Sequence, residues 1–122
     1  MAEQAHAVGP VVAFFREHPV SNATVAPPRA LVALRERIDA LDDRIIDLLA
    51  ERIRIAHEVA AVKRAHGIPA RLPDRIQAVM ERCAAAGGAR GLDPRYVGEL
   101  WSVIIEETCR IEERLLSGDE AV

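Results

Sequence analysis

LVALRERIDALDDRIIDLLAERIRIAHEVAAVK, residues 31–63, decides the fold. Leu31, Leu34, Ile38, Leu41, Ile45, Leu48, Arg52, Ile55, Val59 and Val62 follow one another by steps of three and four, the seam of a long helix packed against others. Nothing breaks a helix from about Arg29 to Ala65, and Gly67 and Pro69 supply the expected C-terminal punctuation. At 1.5 Å per residue the spacing predicts a rod of roughly 55 Å. The rest of the chain offers only two shorter helices to cover it, so the rod is expected to pair with another copy of itself.

The second helix is predicted to open near Pro73-Asp74, to present Ile76, Val79, Met80 and Cys83 on one side, and to stop at Gly87-Gly88. The third opens at Asp93-Pro94, an N-cap residue followed by the position that favours proline. Its inward side reads Val97, Leu100, Trp101, Ile104, Ile105, Thr108, Ile111, Glu112 and Leu115. No apolar alternation of period two appears anywhere. The predicted fold is all-α, with three helices: long, short and medium.

Residues 1–28 carry four of the seven prolines, both phenylalanines and no sustained period. They read as an extension, with 11–15 able to dock as a short helix, and 29–122 read as one helical domain. With 122 residues, 50% hydrophobic and 29% charged, the chain has the make-up of one ordinary domain. A net charge of -3 with interspersed signs makes nucleic acid a poor partner. No apolar run reaches the ~20 residues that span a bilayer, and the start is not basic like a secretory signal, so a cytoplasmic location is expected. Cys83 and Cys109 are too few and too scattered for a disulfide framework or a metal site, and are expected to be buried thiols. The sequon Asn22-Ala23-Thr24 carries no weight in that setting.

Arg52 takes a seam position that the pattern reserves for Leu or Ile. A guanidinium keeps its charge, and burying it unpaired costs several kcal/mol, so something negative is expected to meet it. Lys63 stands eleven residues on, a net turn of about 20° and an axial distance of about 16 Å, so one molecule could touch both side chains. On the third helix Ile104, Thr108 and Glu112 are successive i,i+4 positions, which aims Glu112 along an apolar stripe. Arg35, seventeen residues before Arg52, is turned about 100° and lies some 25 Å away, so it could serve only a partner's site in an antiparallel pair.

Two readings of these cations are open. They could hold a small, multiply anionic ligand, a dicarboxylate in preference to a phosphate, since no glycine-rich cradle opens a helix. They could equally pair with acids of neighbouring helices in a scaffold with no turnover. His57 is read as a surface or packing residue. No cofactor and no metal are expected.

The stretches 31–42 (LVALRERIDALD), 48–52 (LLAER), Val62-Lys63, Pro69 to Arg75 and Leu92-Asp93 to Ile104-Ile105-Glu106 resemble the all-helical chorismate mutases. The resemblance runs from about 29 to 116 without a gap, and three cations fall at the family's spacing. It implies an intertwined homodimer whose two active sites are each completed by the partner's long helix. Arg35 would then enter the partner's site and, with Arg52, hold the substrate's two carboxylates. Lys63 would contact a carboxylate and the ether oxygen. Arg75 matches an arginine at the start of the family's second helix, Thr108 replaces a serine near the ring carboxylate, and Glu112 stands where bacterial members carry glutamine and fungal ones glutamate. Glu112 would help at the ether oxygen only as the protonated acid, which alone can donate.

Where the mutases place an aspartate and a glutamate around the substrate's C4 hydroxyl, this chain has Leu72 and Ile76. Related lyases acting on isochorismate also lose the glutamate. The stretches His66-Gly67-Ile68-Pro69 and Cys109-Arg110-Ile111-Glu112 look like the 4-amino-4-deoxychorismate mutases of antibiotic pathways, which make the precursor of 4-aminophenylalanine. The resemblance thus implies an isomerase acting on 4-amino-4-deoxychorismate, with chorismate mutase and isochorismate pyruvate-lyase as the other enzymatic readings.

Overall fold

The computed structural model describes residues 26–118, which contain three helices and no strand. These are α1 (Arg29–His66), α2 (Pro73–Ala89) and α3 (Pro94–Leu116). The short helix expected at 11–15 lies outside the described residues. The chain divides into two units, 1–38 and 39–122. In the first, α1 begins where Leu31 and Val32 N–H donate to the Pro28 carbonyl.

The second unit is built around a seam between α2 and α3. Val79 and Cys83 from α2 meet Val97, Ile105 and Cys109 from α3, with Ile76, Met80 and Trp101 packed against them. The inward side expected for α2 is the observed one. On α3 Leu100 departs from expectation: it is 42% exposed, while Cys109 takes a core place. On the helical wheel Leu100 lies about 60° from Val97, on the side away from Trp101, Ile105 and Cys109, and so at the edge of the apolar stripe, where the neighbouring helix no longer covers it.

From α1 only Ala56 and Ala60 are buried. The apolar seam read from the sequence is not the face that packs within one chain. Ile45 is 54% exposed and Leu48 62%. The covered positions of α1 are thus small residues, and the large ones of its seam stay exposed.

The ends of the helices follow backbone chemistry. At the end of α1 Gly67 (φ +67°) occupies the left-handed position, with Ile68 N–H on the Lys63 carbonyl at 2.9 Å and Gly67 N–H on that of Arg64 at 3.4 Å. Asp93 caps α3 by accepting from the Arg95 N–H at 2.9 Å, and Pro94 stands in its first turn.

The expected end of α2 at Gly87-Gly88 needs correction: the helix continues to Ala89. The residue that stops it is Gly91, at φ +83°, with Leu92 N–H on the Gly87 carbonyl at 2.9 Å and Gly91 N–H on that of Gly88 at 3.1 Å. Gly87 serves packing instead. A Cβ there would lie 2.5 Å from Cγ2 of Val97. In Gly87→Ala the gain in helix propensity, about 1 kcal/mol, opposes overpacking of about 1–3 kcal/mol against a β-branched side chain with one favoured helical rotamer. The melting temperature is expected to fall, and to recover when Val97→Ala is added. A Gly87→Ala protein that melts higher than wild type contradicts the close approach.

Candidate active site

A cavity of about 340 Å³ opens between the C-terminal half of α1, the connection 67–72, the start of α2 and the middle of α3. Seven of the residues singled out in the sequence line it: Arg52, Lys63, Leu72, Arg75, Ile76, Thr108 and Glu112. Arg35 belongs to the first unit and is not among the lining residues.

Arg52 reaches the cavity because it shares the inner side of α1 with Ala56, one turn on. Its Nη1 donates to Oγ1 of Thr108 at 2.6 Å, and that hydroxyl donates in turn to the Ile104 carbonyl at 3.0 Å. Among the described residues Arg52 has no ion pair with an acid. The anion that the sequence led one to expect beside this half-buried guanidinium is not supplied by a described side chain.

Lys63 behaves differently. Its ammonium lies 2.7 Å from Oε1 of Glu112 and 2.8 Å from the Ala70 carbonyl. Glu112 is the one buried charged residue among those described, 5% exposed, and the pairing meets the requirement that a buried carboxylate be both neutralised and hydrogen-bonded. Of the two readings left open by the sequence, interhelical pairing therefore describes Lys63 and fails for Arg52. An ammonium has three N–H donors, and two are used here. One remains for a guest.

The rest of the wall is apolar. Leu72 and Ile76 flank the cavity at the start of α2, with Val79 and Ile105 behind. Glu112 is the only carboxylate in the lining, and it already accepts from Lys63. Arg75 and Arg82, seven residues apart and thus on one side of α2, bring two further guanidiniums to the edge. The arrangement suits a compact dianion with an apolar body. Among the described residues no group of three or more His, Cys, Asp or Glu could hold a metal.

Sequence reasoning missed Ala56, Ala70, Arg82 and Cys109. Arg82 follows Arg75 by seven, and Ala56 follows Arg52 by four, so their spacing held a signal. Cys109 stands four residues after Ile105, again a visible relation, and its burial pushes the thiol above its usual range. Ala70 acts through its carbonyl, for which no side-chain pattern exists. Cys83 and Cys109 are both free and buried, as expected. His57 is exposed. No described helix is long and apolar enough to cross a membrane.

Outside the cavity Arg71 ties the connection to α3. It pairs with Glu106 at 2.9 Å and Glu113 at 2.6 Å. The hydrogen bonds from its guanidinium hold both carboxyls below the usual carboxylate range.

A family model described as chorismate mutase type II matches residues 34–113. The 4-amino-4-deoxychorismate mutase of Streptomyces venezuelae is 37% identical over 87 residues, 71% of this chain and 84% of that protein. Its counterpart from Streptomyces pristinaespiralis is 33% identical over 103 residues, 84% of this chain and 80% of that one. The bifunctional chorismate mutase/prephenate dehydratase of Escherichia coli is 41% identical over 86 residues, 70% of this chain but only 22% of the longer protein.

Proposed function

The chain belongs to the type II chorismate mutase family and is an isomerase, and from that premise we propose that it converts 4-amino-4-deoxychorismate to 4-amino-4-deoxyprephenate, a step toward 4-aminophenylalanine in antibiotic biosynthesis. The observation that carries the choice of substrate is the wall of Leu72 and Ile76, which bears no carboxylate. A site built to pair with a hydroxyl discriminates through its own acceptors, and here those acceptors are gone. The Leu72 carbonyl, which accepts from Ile76 N–H at 3.0 Å, keeps a second lone pair for an amino group. The two Streptomyces relatives support the same reading. Chorismate itself is the second reading, favoured by the 41% identity to the Escherichia coli protein.

The rearrangement is a unimolecular [3,3]-sigmatropic shift that needs no proton transfer and no covalent intermediate. What the protein must supply is a folded conformation of the enolpyruvyl arm over the ring, and charge for the ether oxygen as its bond to the ring lengthens. Arg52 grips a carboxylate and Lys63 turns its remaining N–H to the ether oxygen. Glu112 orients Lys63. As the ionised acceptor of that bond it contributes nothing directly to the ether oxygen, and only in the protonated form would it donate there.

The working unit in this reading is a homodimer. Leu41, Ile45, Leu48, Ile55 and Val62 form an exposed apolar stripe on α1. Burying such side chains gains roughly 1.5–3 kcal/mol each, and a second copy offers a matching stripe. Arg35 of each chain would then complete the partner's clamp on the second carboxylate.

The test is kcat/KM for chorismate, isochorismate and 4-amino-4-deoxychorismate on one preparation, with product analysis. The amino substrate is expected to be preferred by at least tenfold. Preference for chorismate would assign the ordinary mutase, and release of free pyruvate from isochorismate the lyase.

A further inference from the structure

We propose that Arg71, which does not line the cavity, is a positioning residue that aims Lys63 by fixing the carbonyl of Ala70. The inference rests on the reading of the cavity as the catalytic site. Lys63 carries its charge on a flexible four-carbon stem, so its position is set by what accepts from it. Two acceptors do so: Oε1 of Glu112, on α3, and the Ala70 carbonyl, in the connection 67–72. The first is carried by a regular helix. The second is carried by a segment with no regular structure.

Both ends of that segment are tied by backbone bonds, Ile68 N–H to the Lys63 carbonyl and Ile76 N–H to the Leu72 carbonyl. Its middle is held by the neighbour of Ala70. Arg71 uses four hydrogen bonds: Nε and Nη2 to Glu113 at 2.6 and 3.3 Å, and Nη1 and Nη2 to Glu106, both at 2.9 Å. Glu106 and Glu113 are seven residues apart, on one side of α3 two turns from each other. Cys109, buried between them along the helix, lines the cavity. Glu113 directly follows Glu112.

The fork therefore references the connection to the very helix that carries the other acceptor of Lys63. An isolated exposed ion pair would hold little. Two carboxylates gripped by one planar guanidinium fix orientation as well as distance. Ala70 itself is buried, 8% exposed, and its carbonyl accepts from Lys63 at 2.8 Å.

Arg71→Ala is to be compared with wild type on whichever of the three substrates wild type turns over best, well below the melting temperature. The expected result is a fall in kcat of about 10- to 100-fold, since a displacement of about 1 Å at a catalytic group costs that much, with KM changed less than kcat. Arg71→Lys should recover only part, because an ammonium cannot fork. The double substitution Glu106→Gln/Glu113→Gln should reproduce the loss from the other side of the clamp, and serves if Arg71→Ala does not fold. In a Lys63→Ala background Arg71→Ala should lower kcat no further. A lowered melting temperature with unchanged kcat, or a loss that multiplies with that of Lys63→Ala, would make Arg71 merely structural and overturn the proposal while the reading of the site stands. A wild-type protein that turns over none of the three substrates overturns both.

Discussion

Lys63→Ala is expected to lower kcat by about 10²–10³-fold, the loss that follows removal of one donor aimed at a developing oxyanion. The ether oxygen gains negative charge only as its bond breaks, so the ammonium binds the transition state more tightly than the substrate, and the loss appears in kcat more than in KM. The same substitution leaves a carboxylate in Glu112, 5% exposed, and the Ala70 carbonyl without their partner. Each such orphaned group costs about 1–3 kcal/mol. A lower melting temperature is therefore expected too, and must be separated from the loss of rate. Adding Glu112→Gln removes the uncompensated charge and should restore much of the stability while restoring none of the turnover. A Lys63→Ala protein within a few fold of wild-type kcat would remove Lys63 from the mechanism.

What the sequence revealed of this site, and what it hid, follows from one distinction. Arg52 and Lys63, and Thr108 and Glu112, sit on long helices, where spacing alone fixes which side chains face the same way. Their convergence on one cavity was legible for that reason. Ile76 was legible from the apolar side of α2 as well as through resemblance, whereas Leu72 and Arg75 were legible through resemblance alone: Leu72 lies in the connection before α2, which has no period to read, and Arg75 is no part of that apolar side. The Ala70 carbonyl was invisible, since any residue offers a carbonyl and only the path of 67–72 brings this one to Lys63.

Two glycines in succession suggested an end to α2, yet nothing in a list of residues tells a glycine that stops a helix from one that admits Val97. Gly91 does the stopping through its positive φ. The seam of α1 is apolar, as its period of three and four predicts, but amphipathicity reports that a face seeks cover and not which molecule covers it. Within one chain the cover falls on Ala56 and Ala60. The exposure of Leu48 and Ile45 then stands as the strongest physical reason to place a second copy there.

That placement makes a demand no single chain can meet, and mixing two inactive variants tests it. Arg35→Ala removes the clamp that each chain would lend its partner, whereas Lys63→Ala disables the site of its own chain. Each homodimer should be nearly inactive. In a hybrid of the two, the chain with Arg35→Ala keeps its own Arg52 and Lys63 and receives an intact Arg35 from its partner, so one site of two is complete. Equal amounts unfolded and refolded together give half hybrids by chance, so activity should return to about a quarter of wild type in a two-fold dimer. If Arg35 instead served its own chain, one site of the hybrid would lack Arg35 and the other Lys63, and no activity would return. A monomer also returns none, and sedimentation of wild type distinguishes it. An Arg35→Ala homodimer that is fully active would show that the second carboxylate is held by some other cation, for which Arg75 and Arg82 at the cavity edge are the nearest candidates.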